Sequence, residues 1–116
     1  APNGLLMGKT DNCLYLVDFI SGILYRYDFK PQKLLPVARG FGGGDGLVKR
    51  KKDLYVSDWK GGKVFLVHLK KGVVVEGELL RENFQAAADI SLSKDERYLL
   101  IPDMKAGELI YMPLHD

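Results

Sequence analysis

The chain has 116 residues, the size of one domain, and 47% of them are apolar, enough to form a core. Its 17 basic residues against 15 acidic ones leave a net charge of +2, which argues for no nucleic-acid partner and no membrane attachment. No apolar run approaches the ~20 residues of a membrane span, and the lone Cys13 excludes a disulfide within the chain.

From the N-terminus, residues 4–8 read as a strand, 9–12 as a polar hairpin and 13–18 as a second strand ending at Asp18. Cys13 therefore reads as a small buried hydrophobe before it reads as a reactive thiol. Ser21-Gly22 forms a turn into a third strand over 23–29. There Tyr25, Tyr27 and Phe29 alternate with Arg26 and Asp28, the period of a sheet with unlike faces. Pro31 breaks the chain, and residues 33–38 make an outer strand whose Pro36 suits an edge. Gly40-Phe41-Gly42-Gly43-Gly44 lacks the Gly-Lys-Ser/Thr ending of a phosphate loop and reads as a flexible crossover.

The same order then returns, with strands at 46–49, 53–58, 62–69 and 73–80. Lys49-Arg50-Lys51-Lys52 reads as a solvated hairpin, because no aromatic platform interleaves it as nucleic-acid binding requires. Lys70-Lys71-Gly72 is a tight turn, and the β-branched Val73-Val74-Val75 favours strand. Residues 81–88 read as one helical turn or an irregular crossover. A third unit follows with strands at 89–92, 97–102 and 108–113 and no fourth.

These units share a template. Asn3-Gly4-Leu5, Asp45-Gly46-Leu47 and Asp89-Ile90-Ser91 open them, and their second strands end in Asp18, Asp58 and Asp103. Gly22, Gly62 and Gly107 each follow four residues later. A period of about 40–45 residues built from short strands marks β-propeller blades. The predicted fold is all-β, a propeller fragment of nearly three four-stranded blades at about 1–44, 45–88 and 89–116, the last lacking its outer strand. A propeller closes with about four to eight blades. The ring therefore calls for the remaining blades of a longer chain or for a second copy. The simplest expectation puts Asp116 near the C-terminus of a longer protein and Ala1 inside it.

Propellers set the starts of their innermost strands around a central channel, which singles out Asn3, Asp45 and Asp89. Converging oxygen ligands suit a hard divalent cation, Ca²⁺ first, with Mg²⁺, Mn²⁺ or Zn²⁺ as alternatives. Asx residues also cap strand starts and turns, so the same spacing has a purely structural reading. Asp18, Asp58 and Asp103 read as acceptors for turn N–H groups. Trp59 reads as a packing aromatic at a blade interface or as the edge of the channel. His68 and His115 lack the spacing of a His-based zinc site, and no Gly-x-Ser-x-Gly elbow is present.

Pro2-Asn3-Gly4-Leu5, the Leu14-Tyr15-Leu16-Val17-Asp18 strand, Gly44-Asp45-Gly46-Leu47 and Leu54-Tyr55-Val56-Ser57-Asp58-Trp59 together resemble the C-terminal half of the regucalcin/gluconolactonase family. The closing Ala88-Asp89-Ile90 and Leu100-Ile101-Pro102-Asp103 are similar to the last blade of its secreted or periplasmic members. The resemblance implies a six-bladed parent and metal-dependent hydrolysis of a lactone or similar ester. It implies metal ligation by Asn3 and Asp45, with Asp45 also the catalytic base, held ionised beside the metal. Asp89 has no role in the family pattern and stays a channel-lining or turn residue. Other ligands of the family would fall upstream. The alternative is a non-catalytic propeller that binds a ligand or a protein.

Overall fold

The computed structural model describes residues 1–8 and 12–115. Most of the hairpin expected at 9–12, and Asp116, lie outside the described residues. Eleven strands and no helix are found among them. The first sheet is β1 (Pro2–Met7), β2 (Cys13–Asp18), β3 (Leu24–Asp28) and β4 (Lys33–Ala38), in that spatial order. The second is β5 (Gly44–Arg50), β6 (Asp53–Asp58), β7 (Lys63–Lys70) and β8 (Val73–Arg81), again in order. The third has β9 (Ser91–Leu92), β10 (Tyr98–Asp103) and β11 (Glu108–Pro113). Every pairing is antiparallel, so each sheet is a simple meander.

The shared turn explains the spacing of Asp and Gly. Gly22, Gly62 and Gly107 close the second-to-third-strand turns at φ of 68°, 64° and 70°, a left-handed conformation that glycine adopts without a Cβ penalty. Each preceding aspartate fastens that turn and, in the second and third sheets, also the segment that enters its blade. Asp58 Oδ1 accepts from Gly61 N at 2.9 Å and from Gly43 N at 2.7 Å. Asp103 accepts from Ala106 N at 3.2 Å, Ala86 N at 2.9 Å and Gln85 N at 2.8 Å. Asp18 accepts from Ser21 N at 2.6 Å and from the N-terminal ammonium of Ala1. The structural duty expected of these three residues is the one they perform.

Alternation along the strands buries the middle sheet on both faces. Leu54 and Val56 of β6 pack with Cys13, Tyr15, Val17 and Leu24 of the first sheet. Tyr55 and Val64 point the other way, into Leu99, Ile101 and Met112 of the third. Cys13 is a fully buried free thiol in the first of these cores. Across that interface Tyr15 Oη donates to Gly72 O at 3.1 Å and Arg26 to the same carbonyl at 2.7 Å.

Three local expectations are corrected. The glycine-rich crossover is pinned: Phe41 is buried, Phe41 N donates to Gly22 O at 3.1 Å, and Trp59 N donates to Gly43 O at 2.7 Å. A Cβ at Gly42 would fall 2.4 Å from Asp58 Oδ2, so glycine is there for the aspartate clamp. In the basic hairpin Lys51 and Lys52 are exposed, but Arg50 is buried and donates to His115 O at 3.3 Å. Of the two readings of 81–88 the irregular crossover is the one found: Arg81 ends β8, and residues 82–88 carry one bridge, Ala87 to Asp103. The third inner strand is shorter than expected, because Ile90 turns into the core while Asp89 sits in a bend.

Candidate functional site

The innermost strands β1 and β5 pack side by side because glycine follows each opening Asx. A Cβ at Gly4 would stand 2.2 Å from Asp45 O, and one at Gly46 would stand 2.6 Å from Ile90 N. The Asx-Gly dipeptide is therefore a close-approach device, and it draws the openings of successive sheets together. Asn3, Gly4, Leu5, Asp45, Leu47 and Asp89 line one open cleft of about 270 Å³. All three oxygen-bearing residues singled out at the strand openings thus share one site.

Asn3 is exposed and its Nδ2 donates to Gly44 O at 3.3 Å, across the first interface. That bond occupies the donor end of the amide, and Oδ1 is the end able to ligate a cation. Asp45 is half-buried. Burial first, and the charge of Asp89 second, push its carboxyl above the ordinary value. In the chain itself Asp45 therefore does not have the lowered carboxyl expected beside a metal.

Below the cleft lies a residue that sequence reasoning missed. Ser57 is completely buried; its Oγ accepts from Gly46 N at 2.8 Å and donates to Ala88 O at 2.6 Å. One hydroxyl thus ties the residue after Asp45 to the residue before Asp89. The signal was available: Val17 and Pro102 hold the corresponding positions in the other units, so a serine there is the polar exception.

Trp59 is partly buried and stands outside the cleft lining, on the same end of the sheets. Its ring centroid is 6.1 Å from that of Phe19, and Lys105 Nζ lies 4.8 Å from it. Lys60 Nζ lies 4.9 Å from the Phe19 ring. These residues follow the clamp aspartates, so they form a rim of alternating aromatic and cationic groups. Two further grooves, of about 310 and 580 Å³, lie at the outer perimeter where neighbouring sheets splay apart. Asp103 in the larger one is already committed to backbone N–H groups. Among the described residues no three His, Cys, Asp or Glu side chains gather as a metal cluster.

No family model and no curated protein matches the chain. Among solved structures it is similar to an oxidoreductase (glucose dehydrogenase) from Thermus thermophilus, with a TM-score of 0.65 and 17% identity over 86% of this chain and 37% of that one. It is also similar to the computationally designed Ika4 protein, at TM-score 0.58 and 11% identity over 99% and 92% of the two chains. A streptogramin B lyase aligns at TM-score 0.45 and 12% identity over 97% and 54%. At such identities the likeness speaks for fold alone. The chain is an all-β, propeller-type array of three antiparallel sheets, and it spans 37% of the length of the Thermus protein.

Proposed function

We propose that this chain forms part of a divalent-metal-dependent hydrolase of the regucalcin/gluconolactonase kind, acting on a lactone or similar small ester. The observation that carries the reading is the meeting of Asn3, Asp45 and Asp89 in one cleft at the openings of the inner strands. An amide oxygen and two carboxylates make a donor set of hard oxygen atoms, which fits Ca²⁺ and also admits Mg²⁺ or Mn²⁺. Such an ion takes more oxygen ligands than three residues supply, and neighbouring blades would provide the rest. When bound, it would polarise the ester carbonyl and stabilise the developing oxyanion.

The chain's own residues would act as follows. Asp45 takes a proton from the attacking water as the water oxygen bonds to the carbonyl carbon. The ring C–O bond then breaks, and the released oxygen receives the proton that Asp45 took, which gives the hydroxy acid and restores the carboxylate. Beside the bound cation Asp45 would be held ionised and so able to accept the water's proton. Asp89 would add a second carboxylate to the donor set, and Ser57 holds the two turns that carry them. Calorimetric titration of the native chain with CaCl₂ and MnCl₂ tests this. Binding should be at least tenfold weaker in Asp45→Ala, and lactone hydrolysis should follow bound metal. No binding of either ion, or equal binding by the variant, removes the reading.

A second reading is a non-catalytic propeller that binds a ligand or protein at this end. The rim of Phe19, Trp59, Lys60 and Lys105 favours it, since aromatic and cationic groups alternate there beside the cleft.

A further inference from the structure

The two terminal sheets each leave one apolar face uncovered, and the repeat says what fits them. On the first sheet, pairing puts Leu5 beside Leu16 and Leu16 beside Tyr25; Met7 beside Leu14 and Leu14 beside Tyr27. All of these lie opposite the face that packs on the second sheet. Leu5 is 60% and Met7 58% exposed. On the third sheet Leu100 is paired with Tyr111 and Pro102 with Leu109, and Tyr98 meets Tyr111 edge-on at 6.4 Å. Tyr111 is 61% exposed.

Counting from the shared Asp–Gly turn shows these faces to be the two halves of an interface the chain already makes twice. Leu14, Leu16 and Tyr25 stand where Leu54, Val56 and Phe65 stand, and those three pack on the first sheet. They also stand where Leu99, Ile101 and Ile110 pack on the second. Leu100, Leu109 and Tyr111 stand where Tyr55, Val64 and Leu66 pack on the third. The free face at one end is thus the registered counterpart of the free face at the other.

We infer that two copies of this chain associate head to tail, the first sheet of each on the third sheet of the other, and close a six-bladed ring. One copy falls below the about four to eight blades of closed propellers and three copies exceed them, so two is the number that closes. This inference stands apart from the metal-dependent reading, because it uses none of the three oxygen-bearing residues Asn3, Asp45 and Asp89.

Light scattering on the native 116-residue chain across a range of micromolar concentrations should give twice the 13.0 kDa chain mass. Leu5→Lys, at the position where the second sheet has the buried Leu47, and Tyr111→Lys each place a charge in both interfaces of the ring, and each alone should run at the single-chain mass. Both residues are exposed within one chain, so both variants should keep the native β-sheet circular dichroism. Mixed in equal amounts they should regain the double mass with weaker association. One of the two interfaces in the mixed pair carries both substitutions and the other carries neither. A native chain at the single mass, a larger open assembly, a variant that pairs with itself as the native chain does, or folded variants that stay apart when mixed would each overturn the inference. Coverage of these faces by other blades of a longer chain corresponds to the first outcome.

Discussion

Ser57→Ala is the sharpest probe of how the cleft is held. The substitution removes one oxygen, yet it leaves the buried Gly46 N–H and the Ala88 carbonyl without their partner. A buried polar group deprived of its hydrogen bond costs about 1–3 kcal/mol. Two such groups, partly relieved by local adjustment, put the loss at about 2–4 kcal/mol. With a urea slope of about 2 kcal/mol/M, the unfolding midpoint should fall by about 1–2 M. The comparison belongs at one fixed protein concentration, because self-association would shift both midpoints. The divalent-metal affinity proposed for the cleft should fall as well, since the turns bearing Asp45 and Asp89 would no longer be tied to one hydroxyl. A loss under about 0.5 kcal/mol, within the range of ordinary surface changes, would refute the assignment of Ser57 as the tie between the two turns.

Gly4→Ala should destabilise by about 1–3 kcal/mol, the usual range for overpacking, because the new methyl would stand 2.2 Å from the Asp45 carbonyl. Thermal unfolding checks it, and an unchanged midpoint would mean that β1 and β5 do not approach so closely. Acid should loosen the fold through Asp103. Burial tends to raise its carboxyl, but the N–H groups of Gln85, Ala86, Ala106 and Lys105 prevail and hold it below the ordinary 3.8. Its contribution is therefore complete above pH 3.8 and is lost as the pH falls through the lowered value. Asp103→Asn should be less stable than the native chain at neutral pH, with the gap narrowing below that point in acid unfolding series. A gap independent of pH would show that the charge is not what stabilises the clamp.

Much of the architecture was legible because two signals are local. Strand alternation is written into residues such as Tyr25, Arg26 and Tyr27, and the Asp-to-Gly turn needs a left-handed glycine at a set distance. The meeting of Asn3, Asp45 and Asp89 could be anticipated from the repeat, since equivalent residues in a radial array fall at one axis. What could not be read were effects made between sheets. Arg50 looked like part of a solvated basic run because its acceptor, the His115 carbonyl, is distant in the chain. The raised carboxyl of Asp45 depends on burial under a neighbouring blade and on Asp89, neither of which is visible in its own segment. Residues 81–88 stayed ambiguous because short polar stretches take their shape from what fastens them, here the Asp103 carboxylate.

The aspartate clamps have an evolutionary corollary. Asp58 and Asp103 reach only to their own turn and to the few residues leading into their own blade. Duplicating or deleting a whole unit elsewhere leaves those bonds intact. Each such unit therefore carries the clamp of its own turn and entry segment within itself.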